Sequence, residues 1–301
     1  MSASAMPDGG SSAQHTTTAP ASPTTNPSRV MTEKGADLER GAAQSTRPTF
    51  WEHLNTDVDP VECTGPLAAF CFMTGFIDAI SFSAIFVWCG FQTGNFAQLA
   101  LALARLWEPN PDGPGRNTTF HIADRHALLS LITFNIGAFL GRVGDRIGAH
   151  RRIWLVGATL LQAVLTAVAA VTIWRSGQGS IAEVRGDPSW TNALTYVGLA
   201  FMSASLGLQG IVGKRLNTQF TTTIVLTTVW VELVTDPRLF SLRKKVITRD
   251  HKLIAAVALF GGAFTSRAIL AQAGAAAALG VGAGVRVLIA LAWIVVPGKK
   301  P

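Results

Sequence analysis

The sequence predicts an all-α, polytopic integral membrane bundle with an internal duplication: six full spans plus two short or re-entrant helices, with eight spans as the alternative. Three observations predict it. Only 14% of the 301 residues are charged, against about 25% in soluble domains. Several runs after residue 62 are apolar and long enough to cross a bilayer. The two halves of that apolar body can also be laid over each other. Helices follow from the solvent, because a chain in lipid must satisfy its own backbone hydrogen bonds and nothing here alternates as barrel strands would.

Residues 1–62 read as a disordered polar tail. SSAQHTTTAPASPTTNPS has almost no large apolar side chains and cannot offset the entropy of ordering. Met1 to Gly10 offers neither the basic start nor the apolar stretch of a secretory signal, so the first internal span is expected to direct insertion. The net charge is +7, and the excess of Lys and Arg sits in short loops between apolar runs. That spacing argues against a nucleic-acid surface, which needs one basic patch, and places tail and basic loops on the cytoplasmic side.

The membrane domain is expected over 63–298, with repeats at about 66–175 and 193–297. Its first apolar segment, 66–89, contains Asp78, and the second, 96–106, is short and follows the polar Gln92-Thr93-Gly94-Asn95. The third is 127–141. The fourth, 153–174, is uncharged and matches the roughly 20 apolar residues needed to span a core of about 30 Å. The fifth, 193–213, is also uncharged, and the sixth, 220–231, is short and Thr-rich. The seventh, 253–271, and the eighth, 273–296, carry Arg267 and Arg286. The basic run 238–252 reads as a cytoplasmic loop.

Three anchors support the duplication. His126 pairs with His251, and Gly137-Ala138-Phe139-x-x-Arg142 pairs with Gly262-Ala263-Phe264-x-x-Arg267, both at an offset of 125. TGFIDAI, starting at Thr74, faces LGLQGIV, starting at Leu206, at an offset of 132, and Thr-rich elements follow at Thr93 and at Thr227-Thr228. With six spans the repeats are inverted, a common transporter design; with eight they are parallel. Asn117-Thr118-Thr119 is a glycosylation acceptor, and only the six-span arrangement puts it opposite the basic side.

Asp78 lies about 12 residues into its segment, roughly 18 Å along a helix and near the bilayer middle. A carboxylate there costs at least about 2.5 kcal/mol. Thr74, Asp78 and Ser81 share one helix face. That stripe reads either as an ion, proton or substrate site or as a structural pair of Asp78 with Arg142, Arg267 or Arg286. Gln92, Thr93, Gly94 and Asn95 read either as a helix break that exposes backbone groups to a solute or as a tight surface turn. Gly137, Gly141, Gly280 and Gly284 are spaced for close helix packing. Gly280-Val-Gly282-Ala-Gly284 is not a nucleotide loop, lacking both a preceding strand and the required spacing. Cys63, Cys71 and Cys89 have no metal-ligand spacing and read as buried apolar residues. The six His are scattered and no catalytic grouping appears, so no enzyme, cofactor or metal is expected.

Thr74-Gly-Phe-Ile-Asp78-Ala, Phe91-Gln-Thr-Gly-Asn95 and Gly137-Ala-Phe-Leu-Gly141 together resemble the YoaK-type family of bacterial and fungal polytopic membrane proteins, a domain-of-unknown-function family. The likeness covers about 66–296, and the long polar tail is similar to that of fungal members. In the second half the family has a G-x-Q-N-A element and a T-G pair. Gln209 is retained, while Gly210 and Thr228 stand at the Asn and Gly positions, so a shared ligand in both repeats is not implied. The resemblance implies fold and membrane location and suggests a permease. The expectation is therefore a secondary transporter or permease for a small solute or ion, with Thr74, Asp78, Ser81, Gln92–Asn95 and Gln209 lining the path. The alternative is a non-transporting membrane scaffold or sensor whose tail recruits partners.

Overall fold

A computed structural model describes residues 49–111, 113–184, 189–216, 218, 226–240 and 246–299. The expected disorder of residues 1–48, most of the stretch before α8 below, and residues 241–245 of the basic run lie outside the described residues. Among the described residues the elements are helical, joined by isolated bridges rather than strands. Five helices are long and apolar enough to cross a membrane, by length and composition, as an integral membrane protein requires.

The expected tail does not extend to residue 62. Helix α1, Phe50–Leu54, is opened by a capping box in which Thr49 Oγ1 accepts from Glu52 N at 3.3 Å and Glu52 Oε2 accepts from Thr49 N at 2.8 Å. Val58 N then donates to His150 O and Asp59 N to Pro297 O. The guanidinium of Arg152 gathers this region: it donates to His53 O, Thr56 Oγ1, Trp293 O and Val296 O. Leu54 and Val58 are buried. The polar average of the segment concealed these two apolar contacts and the distant partner that satisfies its carbonyls.

Helix α2, Thr64–Ile85, is the most enclosed of the long helices. It is followed by α3, Gln92–Ala104; α4, Ile122–Leu140; and the short α5, Val143–Ile147. Next come α6, Arg152–Ser176, ending at left-handed Gly177, and α7, Ala193–Arg215, where Asn192 Oδ1 caps Thr195 N at 3.0 Å. Helix α8 is Leu226–Val234, and α9 is Ile247–Val295. As one rod the 49 residues of α9 would reach about 73 Å, more than twice a hydrocarbon core of about 30 Å. Gly274, at φ 78° and ψ 173°, divides it into arms 247–273 and 275–295. Both arms pack at the same level of α2, Gly262 against Phe72 and Gly282 against Phe76, so the second arm doubles back.

Side-chain contacts give the directions. His251 of the first arm lies 3.3 Å from Thr64 Oγ1, while Ala275 N donates to Ser180 Oγ and Ala182 N to Ser83 O. The first arm of α9 therefore runs parallel to α2. Helices α4 and α7 are likewise parallel, since His126 meets Tyr196, Ser130 meets Ser203 and Gly141 meets Ile211. Gln209 bonds Phe70 O, and Leu206 lies beside Gly90 at the level of Asp78, so α7 opposes α2.

Both parallel pairs cross at glycine. A Cβ at Gly75 would sit 2.0 Å from Leu259 O, and one at Gly207 would sit 2.0 Å from Phe134 O. In the other direction Gly262 would meet Phe72 O at 1.9 Å, and Gly137 would meet Ala204 O at 2.0 Å. The two sets are related by the offsets of 132 and 125 noted above. Gly141 packs as expected, but Gly280 and Gly284 do not, with nothing within 4 Å of either added Cβ. It is Gly282, on the other face, that meets Phe76 and Met73.

Candidate functional site

The site begins where α2 ends. Phe86 adopts the left-handed conformation, at φ 56° and ψ 31°, which costs a non-glycine residue about 1–2 kcal/mol. Aromatic packing holds the reversal: Phe82 stacks on Trp88 with centroids 4.1 Å apart, and Phe86 and Trp88 meet Phe82 and Phe91 edge-on. Residues 86–91 thus turn back into the bundle and meet Asp78, about 10 Å below the end of α2.

There, Asp78 Oδ1 accepts the N–H groups of both Cys89 and Gly90 at 2.7 Å. The loop can come this close because residue 90 is glycine; a Cβ there would lie 3.0 Å from Asp78 Oδ2 and 3.2 Å from Leu206 Cδ1. Helix α3 starts from this depth and runs back along α4, with Gln98 and Arg105 reaching Asp124 in the first turn of α4. The break in the apolar run is therefore at 86–91, one turn before Gln92–Asn95. Those four residues open α3 rather than interrupt a helix. The chain reversal is made by left-handed Phe86, outside the four residues read as a break or turn.

Of the four, Gln92 and Asn95 face inward while Thr93 and Gly94 are exposed. Gln92 Nε2 donates to Cys89 O at 2.6 Å and Ser130 Oγ at 3.0 Å. Asn95 Nδ2 lies within 2.6–3.2 Å of Trp88 O, Gln92 Oε1 and Ser130 Oγ. Ser130 Oγ also donates to Trp88 O at 2.8 Å and lies 2.9 Å from Ser203 Oγ. On the other side of Asp78, Gln209 Nε2 donates to Thr74 Oγ1 at 2.8 Å and to Phe70 O at 2.9 Å. Thr74, Asp78 and Ser81 are all buried, though the Ser81 hydroxyl bonds the carbonyl of Asp78 within its own helix.

Sequence reasoning missed Ser130, Ser203 and the Cys89-Gly90 backbone. A lone serine in an apolar helix usually returns its hydroxyl to its own backbone, so neither serine stood out. The anticipated cations are elsewhere. Arg142 and Arg267 are exposed, with Arg142 over the Phe139 ring, and Arg286 is buried against Gln162 and Ser205. Asp78 belongs to none of the ion pairs among the described residues, and its Oδ2 has no hydrogen-bond partner of good geometry there. Backbone N–H groups next to the N-terminus of α3 stabilise the carboxylate instead, by charge-assisted hydrogen bonds. Cys63, Cys71 and Cys89 are buried and free. At the mouth of α2, burial pushes the Cys63 thiol up to about 12, and nearby Asp59 and Glu62 add to this.

A family model described as "Protein of unknown function (DUF1275)" matches residues 67–292. The chain belongs to that family. In this DUF1275 protein the match runs from the start of α2 into the second arm of α9, so the Asp78 cradle lies wholly within the family's domain. No curated protein and no solved structure matches the chain.

Proposed function

We propose that this protein is a permease, a secondary transporter for a small solute or ion whose path passes Asp78. The observation that carries the reading is the carboxylate itself. It is enclosed in an apolar bundle, has no cation partner among the described residues, is met by a loop that turns back into the bundle, and has one oxygen without a hydrogen-bond partner of good geometry among those residues. Intramembrane acids of this kind mark substrate, ion or proton pathways, and broken helices beside them are a recurring transporter device.

Six spans complete the reading: α2, α4 with α5, α6, α7 and the two arms of α9, with α3 and α8 as short elements. The opposed α2 and α7 and the matched glycine crossings support two inverted repeats. The basic loops support a cytoplasmic tail, and the motifs around Asp78 and Asn95 support the likeness to YoaK-type proteins of fungi. A scaffold or sensor is the second reading, favoured by the way the Asp78 carboxylate pins residues 89 and 90 in place.

The test begins with an untargeted metabolite comparison of deletion and wild-type cells. The permease reading expects a solute imbalance that Asp78→Asn, at matched abundance, fails to correct, and that removal of residues 1–48 leaves corrected. A scaffold gives the reverse: Asp78→Asn restores the cell and the truncation does not.

A further inference from the structure

Arg286 is fully buried in the second arm of α9 and has no acidic partner among the described residues. Its Nη1 donates to Gln162 Oε1 of α6, and its Nη2 lies 3.3 Å from Ser205 Oγ of α7. Guanidinium has five N–H donors and does not lose its proton in proteins, and among the described residues Nε has no partner. Gln162 is also fully buried, and its Nε2 likewise has no partner among the described residues. Two unused donor nitrogens and one full positive charge thus sit on two hydrogen-bonded, fully buried neighbours, with no acidic side chain paired to them among the described residues.

Water could accept from these donors but could not neutralise the charge, and isolated buried charges are normally paired. A lipid phosphate is excluded by the complete burial of Arg286, Gln162 and Ser205. We propose that Arg286 and Gln162 form a binding site for a small monovalent anion, enclosed between α6, α7 and the second arm of α9. Arg286 supplies the charge and its free Nε–H, Gln162 turns its amide N–H groups toward the ion, and the Gln162 carbonyl holds the guanidinium in place. The site is separate from the Asp78 cradle and is occupied whether or not the protein transports.

The full chain, purified in detergent in sodium gluconate, is titrated with chloride, nitrate, formate or acetate at constant ionic strength while its Tm is followed. A saturable rise in Tm is expected with one or more of these anions. The formate and acetate arms distinguish a carboxylate ligand from an inorganic ion. Asp78→Asn keeps the response, and Arg286→Gln loses the saturable part. Gln162→Glu provides a second route, because a carboxylate placed beside Arg286 acts as an internal anion; that variant folds and no longer responds. The absence of a saturable response in the wild type, or an unaltered response in Gln162→Glu, overturns the site. A wild-type response without any solute imbalance in cells overturns the permease reading alone.

Discussion

Because the N–H groups of Cys89 and Gly90 fall on one oxygen of Asp78, an amide at this position keeps an acceptor that alanine removes. An orphaned buried donor costs about 1–3 kcal/mol. Asp78→Ala is therefore expected to lower Tm markedly and Asp78→Asn only slightly, measured by thermal denaturation in detergent. Equal losses would mean that the negative charge, rather than the acceptor, holds the loop. The stripe of Thr74, Asp78 and Ser81 was legible because a carboxylate and two hydroxyls on one face of an apolar helix have few alternatives to the interior. Its partner was not. Backbone donors carry no sequence signature, and the natural guess of an arginine fails because Arg142 and Arg267 point outward and Arg286 bonds to Gln162.

Helix crossings give the next scale. At Gly75, Gly137, Gly207 and Gly262 an added methyl would stand 1.9–2.0 Å from a backbone carbonyl oxygen of the facing helix, and a backbone cannot rotate away as a side chain can. Overpacking costs about 1–3 kcal/mol or more, so alanine at any of the four should lower Tm. If the crossings are equivalent, the four losses should be similar in size. Gly280→Ala, with nothing within 4 Å, should instead gain about 0.5–1 kcal/mol from reduced backbone entropy; a loss there would mean that a partner covers that face. Long helices were legible from uncharged runs, as 153–174 against Arg152–Ser176 shows. The reversal after α2 was not, because its left-handed residue is Phe86, a type that gives no turn signal. Residues 49–62 were missed for a related reason, since their order depends on Arg152, far along the chain.

For the whole molecule, the directions of the helices decide which loops share a side. Helix α7 opposes α2 and parallels α4, so α4 opposes α2, and the loop that holds Asn117 stands at the opposite end of α4–α5 from the turn at Gly148. An eight-span arrangement would require α3 to cross as well. Its 13 residues reach about 20 Å, short of a core of about 30 Å, and it starts at the depth of Asp78 instead of at an end of the bundle. The basic residues of Arg142 to Arg152, and Lys214 with Arg215, fall at the Gly148 end, the end that the proposed topology puts in the cytoplasm by the positive-inside rule. Asn117 stands in an exposed loop, where its Oδ1 accepts from Thr119 N at 3.0 Å and its neighbours Thr118 and Thr119 are exposed. In a host with N-glycosylation, Asn117 is therefore expected to be modified, with the shift in mobility abolished by Asn117→Gln. An acceptor inserted after Gly148 should stay unmodified. With the tail in the cytoplasm, the opposite pattern would require α3 to cross the membrane, which removes the inverted repeats on which the permease reading rests; with the tail outside, it would reverse the orientation given by the positive-inside rule.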